Sequence, residues 1–209
     1  MKSRLLSLAT ICLLSLNVFA QQNVSSSSYE ARATTRIGKM NVSEFQQINA
    51  KGTQMVNAIQ PTADKLSSAD QALLNQVAMG GMRQLAISQA VVNKATSEEV
   101  RMLAQSEVEE QTNISNKLQQ IASAKGAQLP TTNDPAVTAL VERINNASGA
   151  EVDALYLEEG GIRGHELLET TMKTVKRSAD DDNLKALSVA TLPVIKTHLK
   201  VSKKERKQM

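Results

Sequence analysis

The sequence predicts an all-α protein: an antiparallel four-helix bundle with a short extra helix on its N-terminal side. Apolar residues recur at helical spacing over several long stretches, and none of these shows the alternation of a half-buried strand. Aromatic residues make up only 2% of the chain, so aliphatic residues, Met and Ala must build the core. Such a core suits packed helices better than a β-sandwich. Short connections between the periodic stretches favour antiparallel neighbours.

Residues 1–20 have the pattern of a secretory signal peptide. Lys2 and Arg4 form a positive start, an apolar run covers residues 5–16, and small or modest side chains lead up to Ala20. The run is too short to cross a bilayer, so a permanently anchored helix is the weaker interpretation. The sequence therefore predicts a protein that is periplasmic or secreted after cleavage near Ala20.

The single cysteine and the charge balance restrict the possible partners. Cys12 lies inside the predicted leader, so the mature chain can form no disulfide. Ile11 stands where a lipoprotein site requires a small residue, and no lipid anchor is predicted. The formal net charge is +3, of which Lys2 and Arg4 supply two charges. The mature chain is nearly neutral, and no nucleic-acid partner is predicted.

Residues 21–61 form a polar, flexible segment that contains a possible short helix. Its first part is rich in serine and has no apolar period. Residues 42–59 carry apolar side chains at helical spacing, interrupted at Gly52 and ending before Pro61. This helix either packs on the bundle or stays separate from it. The bundle itself is predicted over residues 62–204.

Capping residues define the first two bundle helices. Ser68 and Gln71 have the spacing of a capping box, so the first helix should begin near Ser68. The second should begin at Thr96 or Ser97 for the same reason. It should end at Gly126, since glycine adopts the left-handed conformation that closes many helices.

The last two bundle helices follow a connection that contains a short helix over residues 137–144. The third bundle helix is predicted from about Ala150 to Arg177. Three aspartates at residues 180–182 then supply negative charge to the start of the fourth. Pro193 lies inside the fourth helix and should kink or split it.

The second bundle helix carries polar residues on its core-facing stripe. Residues at alternating steps of four and three form this stripe, and Glu107 and Gln111 lie in its middle. A buried carboxylate or amide must find partners, because burying it alone costs several kcal/mol. Two interpretations stay open: a polar or metal site inside the bundle, and a satisfied buried network or a stripe that turns to the surface.

The only two histidines fall on core-facing stripes of the last two helices. His165 and His198 each lie among apolar residues at helical spacing. Neutral imidazole is a common metal ligand, so these residues with Glu107 and Asp153 are the candidate ligands of a divalent or iron-type metal. The alternative is that each histidine is a hydrogen-bonded core residue.

Most familiar catalytic motifs are missing from the sequence. Ferritin-style iron centres use Glu-x-x-His, whereas Ile162 and Ile195 stand three residues before His165 and His198. The sequence has no recognisable serine-histidine-acid set, zinc-protease motif, dinucleotide loop or paired-cysteine site. No cofactor and no catalytic residue are therefore predicted, and a non-enzymatic role is favoured.

Glycines interrupt two of the predicted helices. Gly80-Gly81 lies in the first bundle helix, and Gly160-Gly161 with Gly164 lies in the third. Each costs about 1 kcal/mol relative to alanine in a helix interior. The pattern indicates close approach of two backbones, or local kinks.

The end of the chain is rich in lysine. Basic residues at 196, 200, 203, 204, 206 and 207 outnumber the one acidic residue, Glu205, and residues 205–209 form a basic tail end. Such an end could contact an anionic membrane surface. A solvated helix end that complements the helix dipole is the other interpretation.

Several motifs over residues 66–202 resemble those of one exported bacterial family, called domain of unknown function 4142. These motifs are Leu66-Ser67-Ser68-Ala69-Asp70, Gly80-Gly81, Asn116-Lys117-Leu118-Gln119-Gln120-Ile121-Ala122, Val152-Asp153 with Tyr156, Asn183-Leu184-Lys185-Ala186-Leu187, and Leu192-Pro193 through His198-Leu199. The resemblance implies a ferritin-like four-helix bundle, in a family whose members are often named putative membrane protein and whose activity is not established.

The resemblance also bears on the site. It implies a glutamate and a histidine where this chain has Gln84 and Gln111, while His165 and His198 match the remaining histidine positions. The chain is one residue longer than the family pattern between Tyr156 and His165, which predicts a local bulge near the paired glycines.

Two functions follow from these observations. The first is a non-enzymatic envelope protein that binds an unknown envelope component or protein. The second is a metal-binding, ferritin-like bundle for metal buffering or redox protection that uses His165 and His198. The metal hypothesis requires both imidazoles and a carboxylate within coordinating distance of one point.

Overall fold

The computed structural model describes residues 35–209 and shows a mostly helical protein, as predicted. The predicted signal peptide and most of the serine-rich segment lie outside the described residues. The elements are β1 Arg36–Ile37, β2 Met40–Asn41, α1 Val42–Ala58, α2 Ser68–Val92, α3 Glu98–Lys125, α4 Pro135–Asn146, α5 Ala150–Leu155, a π-helical segment Tyr156–Gly164, α6 His165–Ser178 and α7 Asp182–Arg206. Within the described residues, no helix has the length and apolarity needed to cross a membrane.

The first helix, α1, covers the predicted stretch and belongs to the core. It follows a two-stranded antiparallel hairpin and runs without a break through Gly52. A Cβ atom at Gly52 would overlap Val194 of α7, so this glycine lets two helices approach closely. The predicted interruption at Gly52 was therefore wrong. Lys117 of α3 donates hydrogen bonds to the carbonyl oxygens of Asn57 and Ile59 at the end of α1.

Side-chain caps begin α2 and α3 close to where the sequence predicts. The Ser67 hydroxyl accepts a hydrogen bond from the Asp70 backbone N–H at 3.0 Å, so the observed cap lies one residue before the predicted Ser68, where α2 begins. Ser97 caps α3 in the same way. Gly126 ends α3 with φ +64°, which confirms the predicted end. The Gln71 amide donates to the Gln128 carbonyl oxygen, so the start of α2 lies beside the end of α3.

The predicted third bundle helix contains a long π-helical segment. Tyr156–Gly164 connects α5 to α6 without a loop. A π-helix holds an extra residue per turn, so this segment confirms the predicted bulge near Gly160-Gly161. In contrast, α7 continues across Pro193, which is exposed. The carbonyl group that loses its partner therefore lies on the solvent side of the helix, and the proline does not split α7.

The basic end of α7 is tied to the rest of the protein. Lys203 forms an ion pair with Glu166 at 2.7 Å, and Glu205 accepts a hydrogen bond from the backbone N–H of Gly38. The helix itself extends to Arg206. Contact between this end and an anionic membrane remains a prediction.

Two apolar clusters form the core, with a polar layer between them. One cluster joins the end of α1, the first half of α2, the second half of α3, α6 and the first half of α7, around residues such as Leu74 and Leu187. The other joins the hairpin, the end of α2, the start of α3 and residues 140–157, around Phe45 and Tyr156. Each of α2, α3, α6 and α7 carries buried polar residues at the level between the clusters.

Candidate metal centre

The polar layer is formed by side chains from different helices that are close to fully buried. Its members are Gln84 of α2, Glu107 and Gln111 of α3, His165 at the start of α6 and His198 of α7. On α3, Val100 and Leu103 belong to one apolar cluster and Ile114 and Leu118 to the other. The predicted core stripe of the second bundle helix is thus confirmed, including its polar middle.

Glu107 is the centre of this layer. Its Oε2 atom lies 3.0 Å from Nε2 of His165 and 2.9 Å from Nδ1 of His198. Its Oε1 atom accepts a hydrogen bond from the Gln111 amide at 2.9 Å. One carboxylate therefore joins two imidazoles that are far apart in the sequence, and neither oxygen is left without a partner.

The outer nitrogen of each imidazole is also held. Nδ1 of His165 lies 2.9 Å from the Gly160 carbonyl oxygen, to which it must donate because a carbonyl oxygen only accepts. Nε2 of His198 lies 3.0 Å from Oδ1 of Asn49. The His198 ring stacks on Phe45 with ring centroids 5.0 Å apart. Both rings are thus oriented from their far side, as in metal sites whose histidines have outer hydrogen-bond partners.

Glycines make room for the two amides beside the triad of Glu107, His165 and His198. A Cβ at Gly164 would overlap Oε1 of Gln84, and a Cβ at Gly81 would come 2.8 Å from Oε1 of Gln111. The Gln84 amide donates to the Gly160 carbonyl oxygen at 3.1 Å. The sequence predicts a close approach of two backbones or a local kink, but at these two positions the close neighbour is a buried side chain.

We expect Gly164→Ala to lower the free energy of unfolding by about 1–3 kcal/mol, the usual cost of overpacking a core. The added methyl group would push against the Gln84 amide, although alanine is the better helix former by about 1 kcal/mol. Urea denaturation measures the change. In a Gln84→Ala background the cost should vanish, and an equal cost in both backgrounds would contradict the interpretation.

Charges in the layer hold Glu107 ionised. Burial by itself raises the pKa of Glu107, but the charge of His165 and the hydrogen bonds from both imidazoles outweigh it and keep the pKa well below its ordinary value. Burial lowers the pKa of His165, yet the charge of Glu107 and its hydrogen bond raise it above 6.5 overall. For His198, burial prevails and the pKa is lowered. The two imidazoles therefore differ: Glu107 favours the charged form of His165, whereas burial favours the neutral form of His198.

The triad has the composition and proximity of a metal-binding site. One donor atom from each of Glu107, His165 and His198 can be chosen so that all three lie within 4.8 Å of one another. Two imidazole nitrogens and one carboxylate oxygen are a common ligand set for first-row divalent metals. Both imidazoles and one carboxylate therefore lie close together, as the metal hypothesis requires.

Asp153 lies elsewhere, although the sequence groups it with the other candidate ligands. Its carboxylate accepts hydrogen bonds from the backbone N–H groups of Thr96 and Ser97 at 3.0 and 2.8 Å, and from the Thr96 hydroxyl. These groups precede the first turn of α3, where an anion is favoured. The structure therefore gives Asp153 a capping role and does not bring it to the triad.

Sequence reasoning misses two residues of the site. Asn49 and Phe45 contact His198 from α1. The sequence does not predict this contact, because it does not decide whether the helix over residues 42–59 packs on the other helices. The polar face of α1 indicates a contact with the polar layer only once the packing of α1 against α7 is known.

The fold and the layer define a class: a helical protein with a buried glutamate-histidine-histidine group at the centre of its core. The chain belongs to the family described as Domain of unknown function (DUF4142), whose family model matches residues 55–204. That match includes the whole triad and leaves out Asn49. No curated protein and no solved structure matches the chain.

Proposed function

We propose that the protein is an exported, ferritin-like four-helix bundle that binds one divalent transition metal through Glu107, His165 and His198. The observation that carries the proposal is the convergence of two imidazole nitrogens and one carboxylate oxygen from α3, α6 and α7. Gly160, Asn49 and Gln111 hold the three ligands from outside. A site held in this way needs little rearrangement when a metal binds.

The polar layer also supports the bundle architecture. Four helical stretches, α2, α3, the stretch from α5 to α6, and α7, each cross from one apolar cluster to the other. In each of these stretches the polar layer lies between the residues of the two clusters, as expected for metal sites between facing helices of a bundle. The leader pattern at residues 1–20 supports export, and a periplasmic or secreted location follows from it.

Burial determines what kind of chemistry the site suits. Glu107 and both histidines are at most 2% exposed. A metal there would replace the proton between His165 and Glu107 and would be shielded from water. Storage or buffering of a metal ion needs only such enclosure, and redox protection would follow from keeping a reactive metal away from solutes.

A metal-free polar layer in a non-enzymatic envelope protein is the second candidate. It is favoured by a specific observation, since both oxygens of Glu107 and all four imidazole nitrogens have polar partners within 3.0 Å. A buried hydrogen-bonded network of this kind can give a core a single register. Metal analysis separates the two candidates.

We expect the mature chain, loaded with Zn²⁺ and desalted, to retain one metal ion per molecule by elemental analysis. His165→Gln and His198→Gln should each retain less than a tenth of that amount, because each removes one of the ligands. Glu109→Gln serves as the matched control, since Glu109 is exposed on the same helix as Glu107. Failure of the wild-type protein to retain zinc, or equal retention by the histidine variants, would refute the metal site.

A further inference from the structure

A second carboxylate lies at the edge of the triad. Glu110 follows Glu107 by three residues on α3, so the two side chains lie on neighbouring positions of one helix face. Oε2 of Glu110 is 3.8 Å from Nδ1 of His198. The Glu110 side chain is 12% exposed, whereas that of Glu107 is 1% exposed. Glu110 therefore reaches both the buried layer and the surface.

The surface that Glu110 reaches is a groove between α1 and α3. The groove has a volume of about 850 Å³, and its lining includes Gln46, Asn49, Gln105, Glu109 and Glu110. Asn49 also contacts His198 from the same side. The path from the groove to the triad therefore passes the Asn49 amide and the Glu110 carboxylate.

The groove has a charge that attracts cations. Glu98, Glu109 and Glu110 line it together with one cationic side chain, Arg101. Arg101 is ion-paired with Glu98, which leaves Glu109 and Glu110 in the inner part of the groove. Burial and the charge of Glu107 raise the pKa of Glu110 well above its ordinary value, so Glu109 supplies most of the negative charge before a cation binds. Grooves lined by one sign of charge raise the local concentration of the opposite ion and speed its association.

The net charge of the metal and its ligands favours a second carboxylate ligand, and Glu110 can supply it. A divalent cation bound to Glu107 and two neutral imidazoles would leave a net charge of about +1 inside the core, and burying net charge is costly. A second carboxylate makes the metal and its ligands neutral. Ligands of a tetrahedral zinc ion are about 3.3 Å apart. Oε2 of Glu110 lies 3.8 Å from Nδ1 of His198, but Glu110 is outside the group whose donor atoms all lie within 4.8 Å of one another, so its side chain must move inward to join the other three ligands.

We infer that Glu110 is the fourth ligand of the metal, and that the α1–α3 groove is the route by which a divalent cation reaches it. This inference rests on the proposed function. It assigns the site a ligand set of two glutamates and two histidines, which suits four-coordinate Zn²⁺ or Co²⁺. Glu110 then captures the ion in the groove and remains bound to it in the core.

Co²⁺ is the probe for the fourth ligand, because its visible absorption reports coordination geometry and its titration gives affinity. We expect the wild-type mature chain to give the strong bands of four-coordinate Co²⁺. Glu110→Gln should bind Co²⁺ at least tenfold more weakly and with an altered spectrum. Glu142→Gln, with the same charge change at an exposed position of α4 outside the groove, should retain the wild-type spectrum and affinity. Circular dichroism of the metal-free variants checks that each is folded.

The route is tested by the rate of Co²⁺ binding in stopped-flow experiments at low ionic strength. Gln105→Lys places a positive charge in the groove and should slow association several-fold. Gln120→Lys makes the same change on α3 outside the groove and should not slow it. Equal rates for the two lysine variants would overturn the route.

The outcomes separate this inference from the proposed function. If the wild-type protein binds no Co²⁺ or Zn²⁺, the proposed function fails and the inference fails with it. If the wild-type protein binds Co²⁺ and Glu110→Gln gives the same spectrum and affinity, the fourth ligand is refuted while the triad stands.

Discussion

Glu107→Ala is expected to lower the free energy of unfolding of the metal-free protein by about 3–5 kcal/mol, the range found when one partner of a buried ion pair is removed. The substitution leaves the His165 imidazolium without its counter-charge and the Gln111 amide without its acceptor. Proteins of this size have a total stability of about 5–15 kcal/mol, so the loss is a large part of it. Urea denaturation in the presence of a chelator measures the effect.

Further variants show whether the effect comes from the network or from lost volume. Glu109→Ala removes a carboxylate from an exposed position of the same helix and should change stability by less than about 0.5 kcal/mol. Glu107→Gln and His165→Gln should cost less together than the sum of their separate effects, because the two side chains are in contact. Additive costs, or a Glu107→Ala effect as small as the control, would contradict a coupled network.

Metal binding is expected to stabilise the protein by about 4 kcal/mol when free Zn²⁺ is 1,000 times its Kd, and this stabilisation should disappear in acid. The metal must displace a proton from His165, whose pKa is raised above 6.5 in the metal-free protein. Protons therefore compete with the metal for His165 at a higher pH than they would for a free imidazole. Below that pKa the affinity should fall about tenfold per pH unit for one displaced proton. Glu107 stays ionised through this range, since its pKa is lowered.

The measurement compares melting temperatures with zinc and with chelator at each pH, so that effects of pH on the metal-free protein cancel. Expressed as free energy, the difference should be largest above the pKa of His165 and should shrink by about 1.4 kcal/mol for each pH unit below it. His198→Gln, which keeps the Glu107–His165 pair, should show no zinc-dependent difference at any pH. A difference that stays constant down to pH 5 would mean that the metal binds without displacing the His165 proton.

The sequence predicts the positions of the helices well, because the signals involved are local. The Ser97 cap, the left-handed end at Gly126 and the negative charge before α7 each depend on residues within one turn of the helix end. The predicted cap of α2 is one residue from the observed Ser67, since adjacent serines offer the same chemistry. The π-helical segment is also predictable, because the chain has one residue more than the family pattern between Tyr156 and His165.

The sequence also identifies all three residues of the triad, but not their geometry. Glu107, His165 and His198 each stand out as polar residues on apolar stripes, and periodicity alone shows that they face inward. Asp153 has the same sequence signal and a different role, because it meets the start of α3 and not the polar layer. Whether an inward-facing acidic residue caps a helix or joins a cluster depends on its position along the axes of the packed helices.

The sequence by itself therefore determined the helical class, the helix ends and the inward-facing polar residues, all of which follow from local capping and periodicity. Only the tertiary structure decided that the carboxylate of Glu107 joins both histidines, that α1 supplies Asn49 to His198, and that Glu110 lies between the layer and a groove. These contacts join residues 58 to 149 positions apart in the chain. Such pairs are set by the register in which whole helices pack, and no local pattern encodes that register.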